Sequence, residues 1–302
     1  MKIEIPNINL RQIAESGQCF RWKEAGADIV CDKDGAHKSD AGDSKYDTYV
    51  IPPYGPMHRE FAPLVIKCVD EGRNLFELSC NEIDWMSHWS KYLDMDTDYD
   101  KVRDKIMLSG DKHAIECYKS GNGIRILKQD TWEMIITFMI SQNNNITRIT
   151  RSVDEICLRH AGDDLLKGKE AIVNGAVIRC PLFPRPEEFN REILKDRTLG
   201  LGYRAPYIDN IVKVFADSDD LLNELAEMDY EEARDTLIRF TGIGPKVANC
   251  ICLFGLHHIE AFPIDTHVKQ LLDKYYPKGF PYDKYVGFAG IVQQYLFYYE
   301  LN

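Results

Sequence analysis

Apolar residues recur with two different periods along this 302-residue chain. Up to about residue 80, short apolar runs alternate with clusters of Gly, Pro, Asp and Ser, which is typical of strands joined by turns. The predicted strands cover residues 19–22, 46–51, 64–69 and 74–80. The polar, glycine-dotted stretch 24–44 is predicted to be a long mobile loop.

The second period is helical and begins beyond about residue 82. Trp85, His88, Trp89 and Tyr92 recur at the spacing of one helix face. Further helical patterns begin near Trp132, Ile146, Pro206, Tyr230 and Pro245. We therefore predict an α+β fold: an N-terminal antiparallel β-sheet domain with flanking helices over 1–120, and a mainly helical region over 121–302. The boundary is soft and falls between residues 110 and 129.

Composition supports packed cores, because 44% of the residues are apolar and 11% are aromatic. The N-terminus has no signal-peptide core, and no stretch approaches the roughly 18 uncharged apolar residues of a membrane span. We therefore expect an intracellular protein with no membrane partner.

The nine cysteines indicate neither disulfides nor a metal centre. They are odd in number and scattered from Cys19 to Cys252, in a chain large enough to fold without covalent links. Their spacing matches neither a zinc site nor an iron–sulfur cluster. The alternating aspartates over 94–100 lack the Gly and Glu that complete an EF-hand, so a solvated acidic start of a helix is the better interpretation. We predict no metal and no cofactor.

The net charge of −11 argues against a simple nucleic-acid binder that relies on Lys and Arg. Residues 1–100 carry 19 acidic and 11 basic side chains, so most of the imbalance lies in the β-rich part. Between Phe240 and Gly255, Lys246 is the only charged residue. A phosphate site built from backbone amides would not register in the net charge.

Two helical patterns over residues 230–255 are joined by a short glycine turn, which predicts a helix-hairpin-helix. Gly242 and Gly244 permit a tight turn, Pro245 suits the first helical position, and Ala248 lets the two helices touch. The amides at the start of the second helix would hold a phosphate without any basic residue. Taken alone, Gly-x-Gly before a helix more often marks an ordinary turn.

Lys246 distinguishes this hairpin from an ordinary turn. It lies beside the positive end of a helix and an apolar run, and both disfavour its charged form. An amine in that environment becomes a nucleophile at neutral pH. Downstream, Asp265 is by default a helix cap. Capping is compatible with chemistry if one of its oxygens faces Lys246 and stabilises an oxocarbenium-like centre.

The motifs around these two residues resemble those of a known family. GIGPKVANCICL and FPIDTHV are similar to segments of the helix-hairpin-helix glycosylases, and specifically of the 8-oxoguanine DNA glycosylases. The other segments similar to that family's motifs are GQCFRW (17–22), SQNNNITRIT (141–150), LGLGYRAPY (199–207) and AGIVQQYLF (289–297). The resemblance implies a TBP-like N-terminal sheet domain followed by a helical glycosylase region, and Cys19 makes the chain look closer to bacterial members.

The resemblance implies a bifunctional DNA repair enzyme. Lys246 would attack C1′ of a flipped-out 8-oxoguanine nucleoside and form a Schiff base, and Asp265 would stabilise the developing positive charge. Retention of the lysine implies cleavage of the abasic site by β-elimination as well as removal of the base. The alternatives are a glycosylase of the same superfamily for another lesion, and a non-catalytic helix-hairpin-helix DNA-binding protein.

A flipped base requires a pocket. By resemblance, the Gly17 carbonyl would accept a hydrogen bond from N7–H of 8-oxoguanine, a donor that guanine lacks. Gln293 would contact the Watson–Crick edge, and Phe297 and Cys250 would sandwich the base. Each residue has an ordinary alternative: a turn for Gly17, an exposed helix face for Gln293, and core positions for Phe297 and Cys250.

The resemblance also implies the residues that would hold the duplex. Asn143 would fill the gap left by the flipped nucleotide, and Tyr203 would wedge beside the orphaned base. Arg148 and Arg204 would donate to an orphaned cytosine, whereas the ordinary alternative is a solvated helix face. The phosphate contacts would come from Gly242, Gly244 and His267.

The expected partner is therefore duplex DNA with 8-oxoguanine opposite cytosine. We expect a monomer to bind it inside the cell, in the cytoplasm and at the nucleoid if the source is bacterial.

Overall fold

The computed structural model describes residues 1–25, 47–55, 60–161, 168–218 and 220–301. From position 26 onward, the loop predicted over 24–44 lies outside the described residues. Within the described ranges, no helix is both long enough and apolar enough to span a membrane.

An antiparallel sheet forms the N-terminal part, which confirms the predicted β-rich region. Its strands are β1 (Lys2–Glu4), β2 (Lys23–Glu24), β3 (Thr48–Ile51), β4 (Leu64–Asp70) and β5 (Leu75–Leu78). They pair in the order β1-β5-β4-β3-β2, and helix α1 (Leu10–Glu15) follows β1. Leu64, Ile66 and Cys68 of β4 are buried and alternate with more exposed residues, so one face of the sheet packs on a core.

The strand predicted over 19–22 is wrong. These residues form an irregular segment, and strand β2 begins only at Lys23. The run is apolar because it crosses between two cores: Cys19 packs in the smaller one and Phe20 in the larger one. Strand β1 was not predicted from the sequence, because it has only 3 residues and is held by pairing with β5.

The rest of the described chain is mainly helical, as predicted, and each predicted helix begins at or next to its expected residue. The helices are α2 (Glu82–Asp84), α3 (Ser90–Tyr92), α4 (Tyr99–Leu108), α5 (Lys112–Gly121), α6 (Thr131–Ile140), α7 (Ile146–Ala161), α8 (Ala205–Ala216), α9 (Leu221–Glu227), α10 (Tyr230–Ile238), α11 (Pro245–Phe254), α12 (Thr266–Tyr275) and α13 (Ala289–Leu301). A π-helical turn (Trp85–Trp89) joins α2 to α3. The 3-10 turns are Pro186–Glu188, Arg191–Lys195, Arg197–Leu199, Gly202–Arg204 and Tyr282–Tyr285.

Aspartate side chains begin many of these helices. They accept a hydrogen bond from a backbone amide in the first turn of α4, α5, α6, α10 and α12. In the acidic run 94–100, Asp98 is the cap of α4, as expected for the acidic start of a helix. Asp94 differs from that expectation: it is fully buried and accepts hydrogen bonds from Thr97 and Tyr99.

Two main hydrophobic cores organise the molecule. The smaller core lies under the sheet and includes Phe76 and Trp89. The larger core extends from Tyr99 to the last helix. Helix α5 packs along α13, so the helices between residues 99 and 121 contribute to the larger core although they precede the predicted boundary at 120.

A β-hairpin within the helical region was not predicted. Strands β6 (Gly168–Val173) and β7 (Ala176–Pro181) are joined by Asn174 and Gly175, whose φ values are +51° and +83°. An Asn-Gly pair flanked by β-branched residues is a strong hairpin signal, so this element was readable from the sequence. Buried residues of β7 pack against Val50 of the N-terminal sheet in a third, small cluster.

A buried ion pair links the two parts of the chain. Arg21 Nη1 donates to Glu133 Oε2 of α6 over 2.7 Å, and Arg21 also donates to the Pro181 carbonyl of β7. Both charged side chains are almost completely buried. Removing one partner would leave an uncompensated charge in the interior.

We expect Arg21→Met to lower the free energy of unfolding by about 3 to 5 kcal/mol, because Glu133 loses its counter-ion while staying buried. The double variant Arg21→Met/Glu133→Met removes both charges and should recover most of that loss. Urea denaturation of the single and double variants measures the difference. A double variant as unstable as the single one would contradict this account.

Candidate active site

The hairpin between α10 and α11 is built on a close approach of backbone to a neighbouring helix. Gly242 has a φ of +95°, and a Cβ atom there would lie 2.7 Å from Cβ of Tyr207 in α8. The Gln142 side-chain amide donates to the Gly242 carbonyl over 3.1 Å. Tyr230 of α10 donates to Asn249 of α11 over 2.6 Å. These contacts together fix where α11 begins.

Lys246 lies half-buried on the first turn of α11. Its Nζ donates to Ser141 Oγ over 3.2 Å and lies 5.5 Å from the centre of the Phe138 ring. Ser141 Oγ in turn donates to the Phe138 carbonyl over 2.8 Å. Within the described part of the chain, no carboxylate forms an ion pair with Lys246; its contacts include the Ser141 hydroxyl, the Phe138 ring and the Cys250 thiol.

The aromatic ring beneath Lys246 is itself held by two others. Phe138 stacks on Phe254 with ring centres 5.3 Å apart, and Phe20 meets Phe138 edge to face at 6.0 Å. Phe254 ends the helix that carries Lys246, and Phe20 belongs to the segment 17–22. The N-terminal motif therefore supports the surroundings of the lysine through packing.

Asp265 caps helix α12, which was its default interpretation from the sequence. Its Oδ1 accepts a hydrogen bond from the Val268 amide over 2.8 Å, while Oδ2 has no hydrogen bond to any described residue. Asp265 and Lys246 line the same open cleft, which has a volume of about 900 Å³. Capping thus leaves one carboxylate oxygen available to the cleft.

The cleft brings together residues that are far apart in sequence. Those of the predicted set that line it are Asn143, Arg148, Gly244, Lys246, Asp265 and His267. They come from the loop between α6 and α7, the first turn of α7, the hairpin and the start of α12. The side chains of Asn143, Arg148 and His267 are exposed and therefore accessible to a bound molecule.

Cys250 lies one helical turn after Lys246 and is buried. Burial raises the pKa of its thiol; the nearby Lys246 ammonium opposes that rise, and the Asp265 carboxylate adds to it. Cys250 is therefore a neutral thiol within electrostatic reach of both cleft residues.

Gly17 and Phe297 meet beside the cleft. Gly17 has a φ of +74°, and a Cβ atom there would lie 3.2 Å from the Phe297 ring and 4.0 Å from Ile146. Phe297 is half-buried, and Gln293 lies one turn before it on α13. Gln293 is buried rather than exposed, and its Oε1 accepts a hydrogen bond over 3.1 Å from Gln294, which is also buried.

Asn143 and Tyr203 project together from the surface. Asn143 has a left-handed φ of +46°, which Asn tolerates better than most residues, and its Nδ2 donates to the Tyr203 hydroxyl over 3.2 Å. Tyr203 is 52% exposed. An exposed aromatic ring next to an exposed amide offers a polar wedge to a ligand.

Arg204 lies where the sequence-based expectation did not put it. Its guanidinium is buried, with Nε donating to the Gln142 carbonyl over 2.7 Å and Nη2 donating to the Asn143 carbonyl over 2.9 Å. It also stacks over the Tyr203 ring at 4.7 Å. Together with a hydrogen bond from Nη1 to the Leu201 carbonyl, these contacts engage four of the five guanidinium N–H groups and support the Asn143–Tyr203 pair.

Sequence reasoning missed the polar residues that support the site. Ser141 and Gln142 precede the asparagine run and contact the lysine and the hairpin, respectively. Gln18 is fully buried, donates to the Arg125 carbonyl and accepts from the Leu127 amide, which anchors the segment after Gly17. Polar residues inside otherwise apolar motifs were the available signal, since buried polar groups are nearly always hydrogen-bonded.

The structure offers little to a metal ion. In the ranges that it describes, no group of three or more His, Cys, Asp or Glu side chains is arranged to bind one, and the cysteines there are free.

Comparison of sequences relates both parts of the chain to known proteins. Residues 1–135 match the family model described as 8-oxoguanine DNA glycosylase, N-terminal domain. The N-glycosylase/DNA lyase of Saccharomyces cerevisiae is 28% identical over 293 residues, a match that covers 91% of this chain and 70% of the yeast protein.

Solved structures with the same architecture cover nearly the whole chain. MBOgg1 in complex with a low-affinity DNA ligand is 31% identical with a TM-score of 0.75, and the match covers 99% of this chain and 94% of that one. The 8-oxoguanine glycosylase/lyase of Clostridium acetobutylicum, in complex with duplex DNA containing cytosine opposite 8-oxoguanine, is 26% identical with a TM-score of 0.74. That match covers 99% of this chain and 97% of the other.

We expect the two hairpin glycines to differ in their tolerance of a side chain. Gly242→Ala should lower the free energy of unfolding by about 2 to 5 kcal/mol, because it combines a left-handed φ with a clash against Tyr207. Gly244→Ala should change it by less than about 1 kcal/mol, since its φ is −92° and a Cβ there meets open space. Urea denaturation of both variants checks this, and equal losses would show that the approach to Tyr207 is unimportant.

Proposed function

The chain belongs to the 8-oxoguanine DNA glycosylase family, and we propose that it excises 8-oxoguanine from duplex DNA with Lys246 as the nucleophile. It is a DNA repair glycosylase that also cleaves abasic sites as a lyase. The observation that carries the proposal for Lys246 is the shared cleft: an amine without a salt bridge and a carboxylate with a free oxygen line the same opening.

The chemistry follows from an amine and a carboxylate at a sugar carbon. Nζ of Lys246 attacks C1′ as the bond from C1′ to the base breaks, and the electron pair of that bond leaves with the base, which takes up a proton. The Asp265 carboxylate stabilises the positive charge that develops on the sugar. Loss of a proton from nitrogen and opening of the sugar ring give a Schiff base. Loss of a proton from C2′ then expels the 3′ phosphate and breaks the strand.

Recognition of the damaged base rests on Gly17 and its neighbours. The Gly17 carbonyl would accept from N7–H of 8-oxoguanine, and the positive φ of Gly17 together with its contact to Phe297 supports a backbone turned toward a base pocket. Gln293 would contact the Watson–Crick edge, and its hydrogen bond from Gln294 restrains the orientation of its amide. Phe297 and Cys250 would cover the faces of the base.

Several contacts would grip the distorted duplex. The backbone around Gly242 and Gly244, at the start of α11, would hold a phosphate through its amides. The exposed His267 would contact the backbone near the cleft. Asn143 and Tyr203 would enter the gap beside the flipped nucleotide.

The last proposed contact is with the orphaned base opposite the lesion. We place a cytosine there because Arg148 is exposed in the cleft and free to donate to its O2 and N3 acceptors. Arg204 supports the wedge through its hydrogen bonds to the Gln142, Asn143 and Leu201 carbonyls, and its remaining Nη1 N–H would donate to the cytosine.

We further propose that the protein works as a monomer, since the residues that line the cleft and those proposed to hold the base all belong to one chain. Its DNA substrate puts its site of action inside the cell, at the nucleoid if the source is bacterial.

Borohydride trapping on an 8-oxoguanine duplex tests the nucleophile. The wild-type protein should form a covalent adduct, and Lys246→Gln should form none, because only an amine gives a reducible Schiff base. Lys269→Gln is the matched control, since Lys269 lines the same cleft and should not contribute to the adduct. A trapped adduct in Lys246→Gln, or its absence in the wild type, would overturn the assignment.

Asp265→Asn separates catalysis from folding. Asn caps helices as well as Asp does, so the stability of α12 should be nearly unchanged. Loss of the negative charge should slow single-turnover excision by about 100-fold or more, the size of effect that removal of one electrostatic group at a developing charge produces. A variant that folds normally and excises at the wild-type rate would remove Asp265 from the mechanism.

The opposing base is tested by single-turnover rates against C, A, G and T. We expect the fastest excision opposite C, and Arg148→Ala should lower that rate selectively, by an amount that corresponds to about 1 to 3 kcal/mol of discrimination. Equal wild-type rates against all four bases would refute the role given to Arg148.

A further inference from the structure

The arginines of this acidic chain divide into engaged and unengaged side chains. In the described part of the chain, most donate to a carboxylate or a backbone carbonyl. Those whose side chains do neither are Arg148, Arg151, Arg197 and Arg239. All of the latter are exposed. Carboxylates are abundant on a chain with a net charge of −11, so an exposed guanidinium that pairs with none of them is distinctive.

Arg148 and Arg151 lie on α7, and Arg197 lies on a turn that packs against this helix; we call these three residues the α7 surface. Arg148 and Arg151 are three residues apart on α7 and so share a face of the helix. Arg197 begins a 3-10 turn that is fixed to α7, because Ser152 Oγ donates to the Leu199 carbonyl over 2.7 Å. Arg239 lies apart from them, at the end of α10 beside the hairpin.

Two carboxylates near the α7 surface pair with a third arginine, Arg159, and not with Arg151 or Arg197. Glu155 of α7 and Asp196, which caps the 3-10 turn, both pair with Arg159, at 3.3 Å and 2.6 Å. Arg159 also donates to Thr198 over 2.7 Å. In the described structure, Arg151 and Arg197 are therefore left without an ion-pair partner of their own.

The α7 surface extends away from the reactive cleft. Arg148 and Lys246 both line the cleft, and Asn143, which is paired with Tyr203, lies in the loop before α7. A nucleotide that leaves the duplex toward Lys246 leaves its pairing partner on the far side of that wedge. From Arg148, helix α7 then runs onward past Arg151.

We propose that Arg151 and Arg197 bind backbone phosphates of the strand opposite the lesion. The proposal rests on the proposed function, in which Arg148 contacts the orphaned base. Arg151 is displaced from Arg148 by roughly 4.5 Å along the helix axis, comparable with the rise of about 3.4 Å per nucleotide of one strand. A helix that meets the orphaned base at Arg148 thus reaches the adjoining backbone one turn later.

The first experiment measures the salt dependence of binding to an undamaged duplex. Arg151→Ala and Arg197→Ala should each reduce the slope of log affinity against log salt by about 0.9, and each should weaken binding whatever the base sequence. Arg103→Ala is the matched control: it changes the net charge equally, but Arg103 is engaged by Asp100 and Asp104. Unchanged slopes for Arg151→Ala and Arg197→Ala, as for an acidic protein partner on this surface, would overturn the proposal.

The second experiment identifies the strand. Methylphosphonate linkages, which carry no charge, are placed in either strand around the lesion position. If Arg151 contacts the opposite strand, Arg151→Ala should not weaken binding further to a duplex in which that strand is neutralised. The same substitution should weaken binding by its full amount when only the lesion strand is neutralised. The reverse pattern would show that Arg151 contacts the lesion strand, which contradicts the proposal.

These outcomes are separate from the test of catalysis. Binding to undamaged DNA does not need Lys246. The binding measurements would therefore still test the two arginines if borohydride trapping failed. Because the Arg151 and Arg197 side chains form no hydrogen bond or ion pair within the described structure, their variants should melt close to the wild-type temperature.

Discussion

The close contact between Gly242 and Tyr207 is the constraint on which the site depends. It sets the backbone just before α11, and Lys246 follows on the first turn of that helix. Gln142 then ties the hairpin to the end of α6, where Ser141 receives the hydrogen bond from Lys246. A single close approach, possible only because residue 242 has no side chain, therefore positions the hairpin amides and the amine relative to one another.

The second requirement is that distant segments meet at this point. Gly17 contacts Phe297 and approaches Ile146, so the N-terminal segment, the last helix and the start of α7 converge beside the cleft. Phe20 follows in the same segment and packs on Phe138 beneath Lys246. The irregular run 17–22 therefore contributes side chains to both cores, Cys19 to the smaller one and Phe20 to the larger one.

The sequence predicted the parts of the structure that depend on local chemistry. The helix starts follow from aspartate caps and Pro245, and the hairpin Asn174-Gly175 carried an equally local signal that went unused. Arg204 shows where local reasoning ends. Its position beside Tyr203 is compatible with a side chain that points to solvent or into the protein. The inward orientation is stabilised by the Gln142 and Asn143 carbonyls, about 60 residues earlier in the chain. The same holds for Asp94, whose burial depends on Tyr99 and Arg125 around it.

The net charge of −11 is compatible with a DNA substrate because charge acts locally at this scale. At physiological salt, exposed charges are screened beyond about 8 Å, so an acidic N-terminal part has little influence on a phosphate at the hairpin. Many of the carboxylates are also spent within the molecule, where they cap helices or pair with arginines. What a phosphate meets at the cleft is instead a glycine-rich helix start, Lys246 and the exposed Arg148. In the proposed binding mode, backbone amides and a few unengaged cations supply the phosphate contacts in a chain whose overall charge opposes them.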